Sequence, residues 1–260
     1  MPISEGALCA RKLLLDVGNP DLAIISIEDL VWARGAFLRF LPLKNADGRI
    51  VFGEKGAIIT INSQIEYEGR RRFTIAHELG HYEMHKTLFQ YHNDNSITLD
   101  CFKEGNQETD ANQFASELLM PEELFRKECK DKKFSPDLLR DLSKRFLTSI
   151  TSVAFKYVEF GPHPICIFFC NQNKVIYWKK SEDFKHFIIN RINLKPPDDS
   201  VAEEYFEKGT IYKGSETKQQ IWKSTWFELK KWENDTDFKF YEYCIITPQF
   251  NTVLSIVWEG

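Results

Sequence analysis

Arg70-Arg71-Arg72-Phe73-Thr74-Ile75-Ala76-His77-Glu78-Leu79-Gly80-His81 is the stretch on which the reading of this chain turns. Phe73, Ile75, Ala76 and Leu79 recur at helical spacing, so the segment is expected to be a helix with one apolar stripe. Residues four apart on a helix stack on one face, and His77 and His81 can therefore reach one ion together. Glu78, beside the first histidine, is placed to take a proton from a water on that ion. The pattern is HExxH, and its context strengthens it: it follows a predicted strand, and Gly80 is the one helix breaker within it. A mid-helix glycine costs roughly 1 kcal/mol against alanine, so Gly80 is expected to let another backbone come close.

A hydrolytic metal site of this type needs a third protein ligand and an open fourth position. His85 continues the same face, but a rise of 1.5 Å per residue puts it about 12 Å along the axis from His77, too far to share one ion. A histidine six residues after His81 is also missing, because position 87 is threonine. The best remaining donor is Glu108, at the start of a helix whose Ala111, Phe114, Ala115, Leu118 and Leu119 form the apolar stripe. Asp110 and Glu104 are the fallbacks, and on spacing alone Glu108 as ligand and Glu108 as a solvated charge favoured by the helix dipole stand level. Asn112, one turn on, is placed to orient a ligating imidazole from behind. His and Glu donors suit zinc, although manganese or iron can occupy the same N/O set. A donor for the developing oxyanion is sought among Tyr82, Tyr91 and His92, which are close in sequence.

Outward from this core, Leu8, Leu13, Leu14 and Leu15 predict an opening helix, closed at Gly18-Asn-Pro, and a second short one is expected over 27–34. Three apolar runs, Ala36-Phe-Leu-Arg-Phe-Leu, Arg49-Ile-Val-Phe and Ala57-Ile-Ile-Thr-Ile-Asn, are separated by the turn residues Asn45-Ala-Asp-Gly and Glu54-Lys-Gly. They are expected to form a small three-stranded antiparallel meander. Residues 87–106 are polar and read as a long exposed loop. Ser135-Pro136 starts a helix, and Leu147-Thr148-Ser149 turns it into a second, Ile150 to Val158, making a helix-turn-helix-like unit. Its turn has no glycine and its second helix carries only Lys156 as a cation able to reach a base, which favours an ordinary helical hairpin over DNA reading.

After Gly161-Pro162 the texture changes to aromatic-rich strands at 165–169, 175–178, 238–247 and 252–258, the last two forming a terminal hairpin around Pro248-Gln-Phe-Asn. Residues 201–208 and 217–232 are read as helices. The expected architecture is α+β: a helical peptidase domain over 1–130, the helix-turn-helix-like unit over 131–160, and an α/β C-terminal domain over 161–260. Trp178, Trp222, Trp226, Trp232 and Trp258 are expected to pack a core more than to line a pocket.

A net charge of −4 argues against a general nucleic-acid binder, which needs a basic face to displace counterions. No apolar run approaches the ~20 residues that cross a bilayer, and the opening Met-Pro-Ile-Ser-Glu has no basic and apolar leader pattern, so a cytoplasmic, non-membrane protein is expected. Cys9, Cys101, Cys129, Cys166, Cys170 and Cys244 form no CxxC pair and read as reduced thiols, Cys166 and Cys170 as buried ones on a strand.

Ile61-Asn62-Ser63, the Arg71-to-His81 run, His85, Glu108, Ala111-Asn112-Gln-Phe114-Ala115 and Leu118-Leu-Met-Pro121 together resemble the ImmA/IrrE family of metallo-endopeptidases over roughly residues 1–160. The resemblance implies a gluzincin-like, zincin-type fold in which His77, His81 and Glu108 bind zinc and Glu78 is the general base, with Asn112 and His85 behind them. It further implies a protein substrate, a helix-turn-helix repressor of the Xre type, whose cleavage releases a stress or mobile-element response. Residues 161–260 match no named pattern, though a GAF-like sensory domain stands at the corresponding place in some relatives. The rival readings are a DNA-binding regulator with a structural zinc, resting on the 135–158 helix pair, and a C-terminal domain that senses a ligand and gates the site.

Overall fold

The computed structural model describes residues 3–19, 21–53, 56–90, 97–98 and 105–260. Cys101, Glu104, Tyr91, His92 and most of the loop expected at 87–106 fall outside them. The chain is mixed α and β and divides into two compact units, 1–128 with 141–152, and 129–140 with 153–260, so the helices of 131–160 are shared between them. No described helix is long and apolar enough to cross a membrane.

In the first unit, α1 (Glu5–Val17) is capped by Ser4, whose side chain accepts from the Ala7 amide, and ends at Gly18, whose φ of 71° suits glycine. Its buried face is Gly6, Ala10, Leu13 and Leu14, while Leu8 and Leu15, expected inside, are exposed. A four-stranded sheet follows α2 (Ile27–Ala33) and has the order β1-β3-β2-β4, with β1 at Ala36–Leu41, β2 at Gly48–Gly53, β3 at Gly56–Asn62 and β4 at Ile97–Thr98. The expected antiparallel meander is therefore corrected: β1 runs parallel to β3, and β2 pairs with β3 on its other side. Burial explains the order. Ile59, Thr60 and Ile61 of β3 are all buried, so both faces of that strand are covered and it belongs at the centre, whereas β1 is mostly exposed and lies at an edge.

Helix α3 (Glu68–Gln90) packs on α4 (Gly105–Leu119), and α4 also packs on α1. Of the expected apolar stripes, Ile75, Ala76 and Leu79 of α3 and Ala111, Phe114, Ala115, Leu118 and Leu119 of α4 are all buried, whereas Phe73 is half-buried. Two glycines set how closely α4 is held. A Cβ on Gly6 of α1 would lie 1.9 Å from the Asp110 carbonyl oxygen, and one on Gly80 of α3 would lie 2.9 Å from the Phe114 ring. What Gly80 admits is thus an aromatic side chain, where the sequence suggested a backbone. The other side of α3 is tied to α2, because Arg34 grips the Glu83 carboxylate at 2.7 and 2.9 Å and Lys86 adds a third bond. Burial pushes the Glu83 carboxyl up, but these cations hold it below its ordinary range.

Helices α5 (Glu122–Cys129), α6 (Pro136–Phe146) and α7 (Ile150–Phe160) complete the helical run. Ser135 caps α6 as its chemistry suggested, accepting from the Leu138 amide at 3.1 Å. The turn into α7 puts Leu147 at a φ of 51°, and Ser149 caps α7 by accepting from the Ser152 amide. Lys156, the one cation counted as able to reach a base, is only 3% exposed and lies over the Phe160 ring.

In the second unit, β5 (Ile165–Asn171), β6 (Lys174–Lys180), β7 (Lys218–Ile221), β8 (Phe240–Thr247) and β9 (Thr252–Glu259) form an antiparallel sheet of order β6-β5-β9-β8-β7. The terminal hairpin β8–β9 and the helix α8 (Val201–Lys208) agree with the sequence reading. The helix expected over 217–232 does not form. Ile221, Trp222, Trp226 and Leu229 imitate a helical period, but Ile221 pairs with Phe240 in β7, and α9 (Lys223–Trp226) is a single turn ending in extended backbone at Phe227. Cys166, Phe168, Cys170, Trp226, Phe227 and Phe240 belong to one buried cluster, with Trp226 stacked on Phe168 at 4.0 Å. Burial raises both thiols, Cys170 to about 12, which fits structural cysteines. Trp226 and Trp258 are core residues, and Trp178, Trp222 and Trp232 are exposed.

Candidate metal centre

Helix α3 carries two working stripes, because consecutive helical residues are turned by about 100°. His77 and His81 face α4, and Arg70, Thr74 and Glu78, spaced by four, face the start of β2. From α4, Glu108 reaches the first stripe: its carboxylate oxygens lie 3.3 Å from His77 Nε2 and 3.3 Å from His81 Nε2. The two Nε2 atoms are 3.1 Å apart. The ligating atoms of this trio all lie within 4.8 Å of one another, and among the described residues no other group of three or more such side chains converges in this way.

These spacings test whether a cation fits. Donors held about 2.0–2.1 Å from a tetrahedral ion stand roughly 3.4 Å apart. Neutral imidazoles whose lone pairs point at each other and at a carboxylate repel, unless a positive charge lies between them. The trio therefore has the separations and the charge preference of a metal-binding set. His77 Nδ1 lies 3.0 Å from Asn112 Oδ1, and a proton on that nitrogen donated to the amide leaves the Nε2 lone pair facing the trio. His81 is 1% exposed, so its ring is fixed by packing.

The remaining sequence candidates separate cleanly. His85 sits one turn beyond His81, ring centroids 5.8 Å apart, and is not in the trio. Burial lowers its pKa against the opposing pull of Glu5 and Asp110, and its Nε2 is buried without a hydrogen-bond partner among the described residues. Asp110 turns to α1, where its carboxylate meets the Gly6 amide at 3.4 Å. Tyr82 donates its hydroxyl to the Arg34 carbonyl at 3.1 Å, which takes it out of contention as an oxyanion donor. Glu78 is 4% exposed and lies against Gly48 and Thr74. Gly48 was missed as a site residue because Asn45-Ala-Asp-Gly reads as a turn, whereas the glycine opens β2 beside the carboxylate.

Gly80 tests the helix spacing that builds the trio. Gly80→Ala gains up to about 1 kcal/mol of helix propensity, but its methyl meets the buried Phe114 ring, and overpacking of this kind costs about 1–3 kcal/mol. The expected result is a net loss of stability together with weaker metal uptake, as α4 and Glu108 move outward; denaturant unfolding and metal titration check the two effects.

Two histidines four apart on one helix and a carboxylate from a second helix, with a buried glutamate beside this donor trio, make the arrangement of a metallopeptidase-type domain. Residues 33–156 match the peptidase M78 family described as the IrrE N-terminal-like domain, which supports the resemblance to the ImmA/IrrE family. The chain is 31% identical over 147 residues to the radiation response metalloprotease IrrE of Deinococcus radiodurans, a match covering 54% of this chain and 42% of that protein. It thus spans less than half the length of that relative. Its fold is similar to the solved structure of a Mycobacterium tuberculosis transcriptional regulator, with a TM-score of 0.63 at 12% identity, covering 98% of this chain and 76% of that one.

Proposed function

We propose that this protein is a zinc-dependent endopeptidase in which His77, His81 and Glu108 hold the metal, Glu78 is the general base, and the substrate is a helix-turn-helix repressor whose cleavage relieves repression. The observation that carries this reading is the convergence of the three donors at 3.1–3.3 Å, one residue away from a buried carboxylate. Bound zinc supplies an electrophile and lowers the pKa of its water towards ~7. The chain's own residues do the rest. Asn112 holds the His77 tautomer, Glu78 accepts the proton of the attacking water and returns it to the leaving amine, and the packing of α4 on α3 keeps Glu108 in reach.

The match of residues 33–156 to the IrrE N-terminal-like domain, and the name of the Deinococcus relative as a metalloprotease, support the hydrolytic reading. The repressor substrate rests on the family resemblance alone. The rival DNA-binding reading loses support at Lys156, which is buried. For residues 161–260 we keep the proposal of a regulatory domain of GAF-like type, whose buried cluster is filled by its own aromatic side chains.

Incubating the purified chain with zinc and the product of a neighbouring repressor gene tests the reading. One zinc per chain and cleavage that stops on chelation are expected; zinc uptake without cleavage, together with salt-sensitive promoter binding, would favour the structural-metal alternative. Asn112→Ala is expected to weaken zinc binding or turnover by about 10–100-fold, the usual cost of losing a group that orients a ligand. Competition with a chelating dye measures it, and an unchanged affinity and rate would remove Asn112 from the site.

A further inference from the structure

We propose that Gly48 is a positioning residue for Glu78: the bare backbone at the start of β2 is the wall against which the carboxylate is set. This rests on the metallopeptidase reading and names a residue that reading does not require. A Cβ at position 48 would lie 2.6 Å from Glu78 Oε1, 2.8 Å from Glu78 Cγ and 2.8 Å from the Thr74 methyl carbon Cγ2. Side-chain atoms of a buried residue do not tolerate such distances, so something must move. The need for glycine comes from space and not from backbone conformation, because Gly48 is not among the residues with positive φ.

The neighbours decide what yields. The strand is held on the helix there, for Arg70 of α3 grips the Asp47 carboxylate at 2.7 and 2.9 Å, and the Asp47 carbonyl accepts the Asn62 amide of β3 at 2.8 Å. Thr74 is fixed as well, its hydroxyl donating to the Arg70 carbonyl at 3.0 Å. Glu78 has more rotatable bonds than Thr74 and presents two of the three close atoms, so an added methyl displaces the carboxylate. A shift of about 1 Å in a reacting group can cost roughly 10²-fold in rate. His77 and His81 occupy the other stripe of α3, so the metal trio is left in place.

The test uses zinc-loaded full-length protein and acetohydroxamate, a zinc-binding probe whose N–H and O–H groups need an acceptor carboxylate beside the ion. Calorimetry is run on wild type, Gly48→Ala, Glu78→Ala and the double variant, with Gly53→Ala as a control, since a Cβ on Gly53 of the same strand comes no closer than 3.7 Å to another atom. Gly48→Ala is expected to bind one zinc as wild type does, to bind hydroxamate at least about tenfold more weakly, and to add nothing to Glu78→Ala, whose carboxylate is already gone. The same four proteins in a Thr74→Ser background, which removes the second collision, repeat the comparison should Gly48→Ala alone fold poorly. Wild-type hydroxamate affinity in Gly48→Ala, or an equal loss with and without Glu78, overturns the proposal while zinc uptake leaves the metal site standing. A wild-type chain that takes up no zinc overturns both.

Discussion

On the proposed function, Glu78→Gln is expected to slow peptide hydrolysis by about 10²–10⁴-fold while the protein keeps its metal. The two halves of this expectation come from different atoms. Glu78 is outside the donor trio of His77, His81 and Glu108, so neutralising it leaves the ligands untouched. Glutamine has the same shape and fits the slot between Gly48 and Thr74, but an amide does not take a proton from water at neutral pH. Metal analysis and cleavage rate, measured on one preparation, separate the effects. A glutamine variant that cuts the proposed repressor substrate as fast as wild type would falsify the assignment of Glu78 as base. Loss of zinc in the same variant would instead move Glu78 into the ligand set.

The second large effect is expected on stability and concerns Glu242 of β8, which is completely buried. Its carboxylate accepts from the Val201 amide at 2.9 Å and the Ala202 amide at 3.3 Å, the first two of α8, and from Trp226 Nε1 at 3.3 Å and Ser255 Oγ at 2.6 Å. Ser200 takes the next free amide, that of Glu203. Burial holds this carboxyl above its ordinary range, and the donors offset only part of that. One side chain thus closes the N-terminus of α8, anchors the indole of the central tryptophan and joins β8 to β9. Glu242→Leu keeps the site apolar and filled but strands these donors without water or partner. The expected loss is about 3–5 kcal/mol, because several buried neutral donors lose their acceptor at once and each stranded one costs about 1–3 kcal/mol. Urea unfolding followed by tryptophan fluorescence reads it, and a leucine variant within about 1 kcal/mol of wild type would show that the donors find other partners.

Local pattern carried far in this chain wherever function sits on one helix. HExxH spacing, the apolar stripes of α3 and α4, and the Ser135 cap are all written within a few turns of sequence, where side-chain direction follows from the helix period alone. Glu108 was harder. Its spacing was equally that of a solvated helix charge, and the contact with His77 and His81 depends on α4 crossing α3 at the right height. Strand order in the first sheet is not legible in the sequence because three apolar runs look alike there, and only cover on both faces marks β3 as central. The 217–232 segment misled for a related reason: its aromatic spacing suits a helix, but the open edge of β8 takes Lys218–Ile221 as a strand, and non-local pairing overrides a weak local preference.

What can be read without coordinates is what one turn of helix or one run of strand dictates: two imidazoles on a common face, a carboxylate beside them, and the caps and stripes of the elements that carry them. The closing of the trio by Glu108, the exclusion of Asp110 and Tyr82, the burial of Lys156 and the pressing of Gly48 against Glu78 belong to the packed chain. The reason is one of range. Helix period fixes directions over a few ångströms, whereas these contacts join residues distant in sequence or depend on how elements pack, so they are set by the packing within each unit, in the first by the close approach of α1, α2, α3, α4 and the sheet.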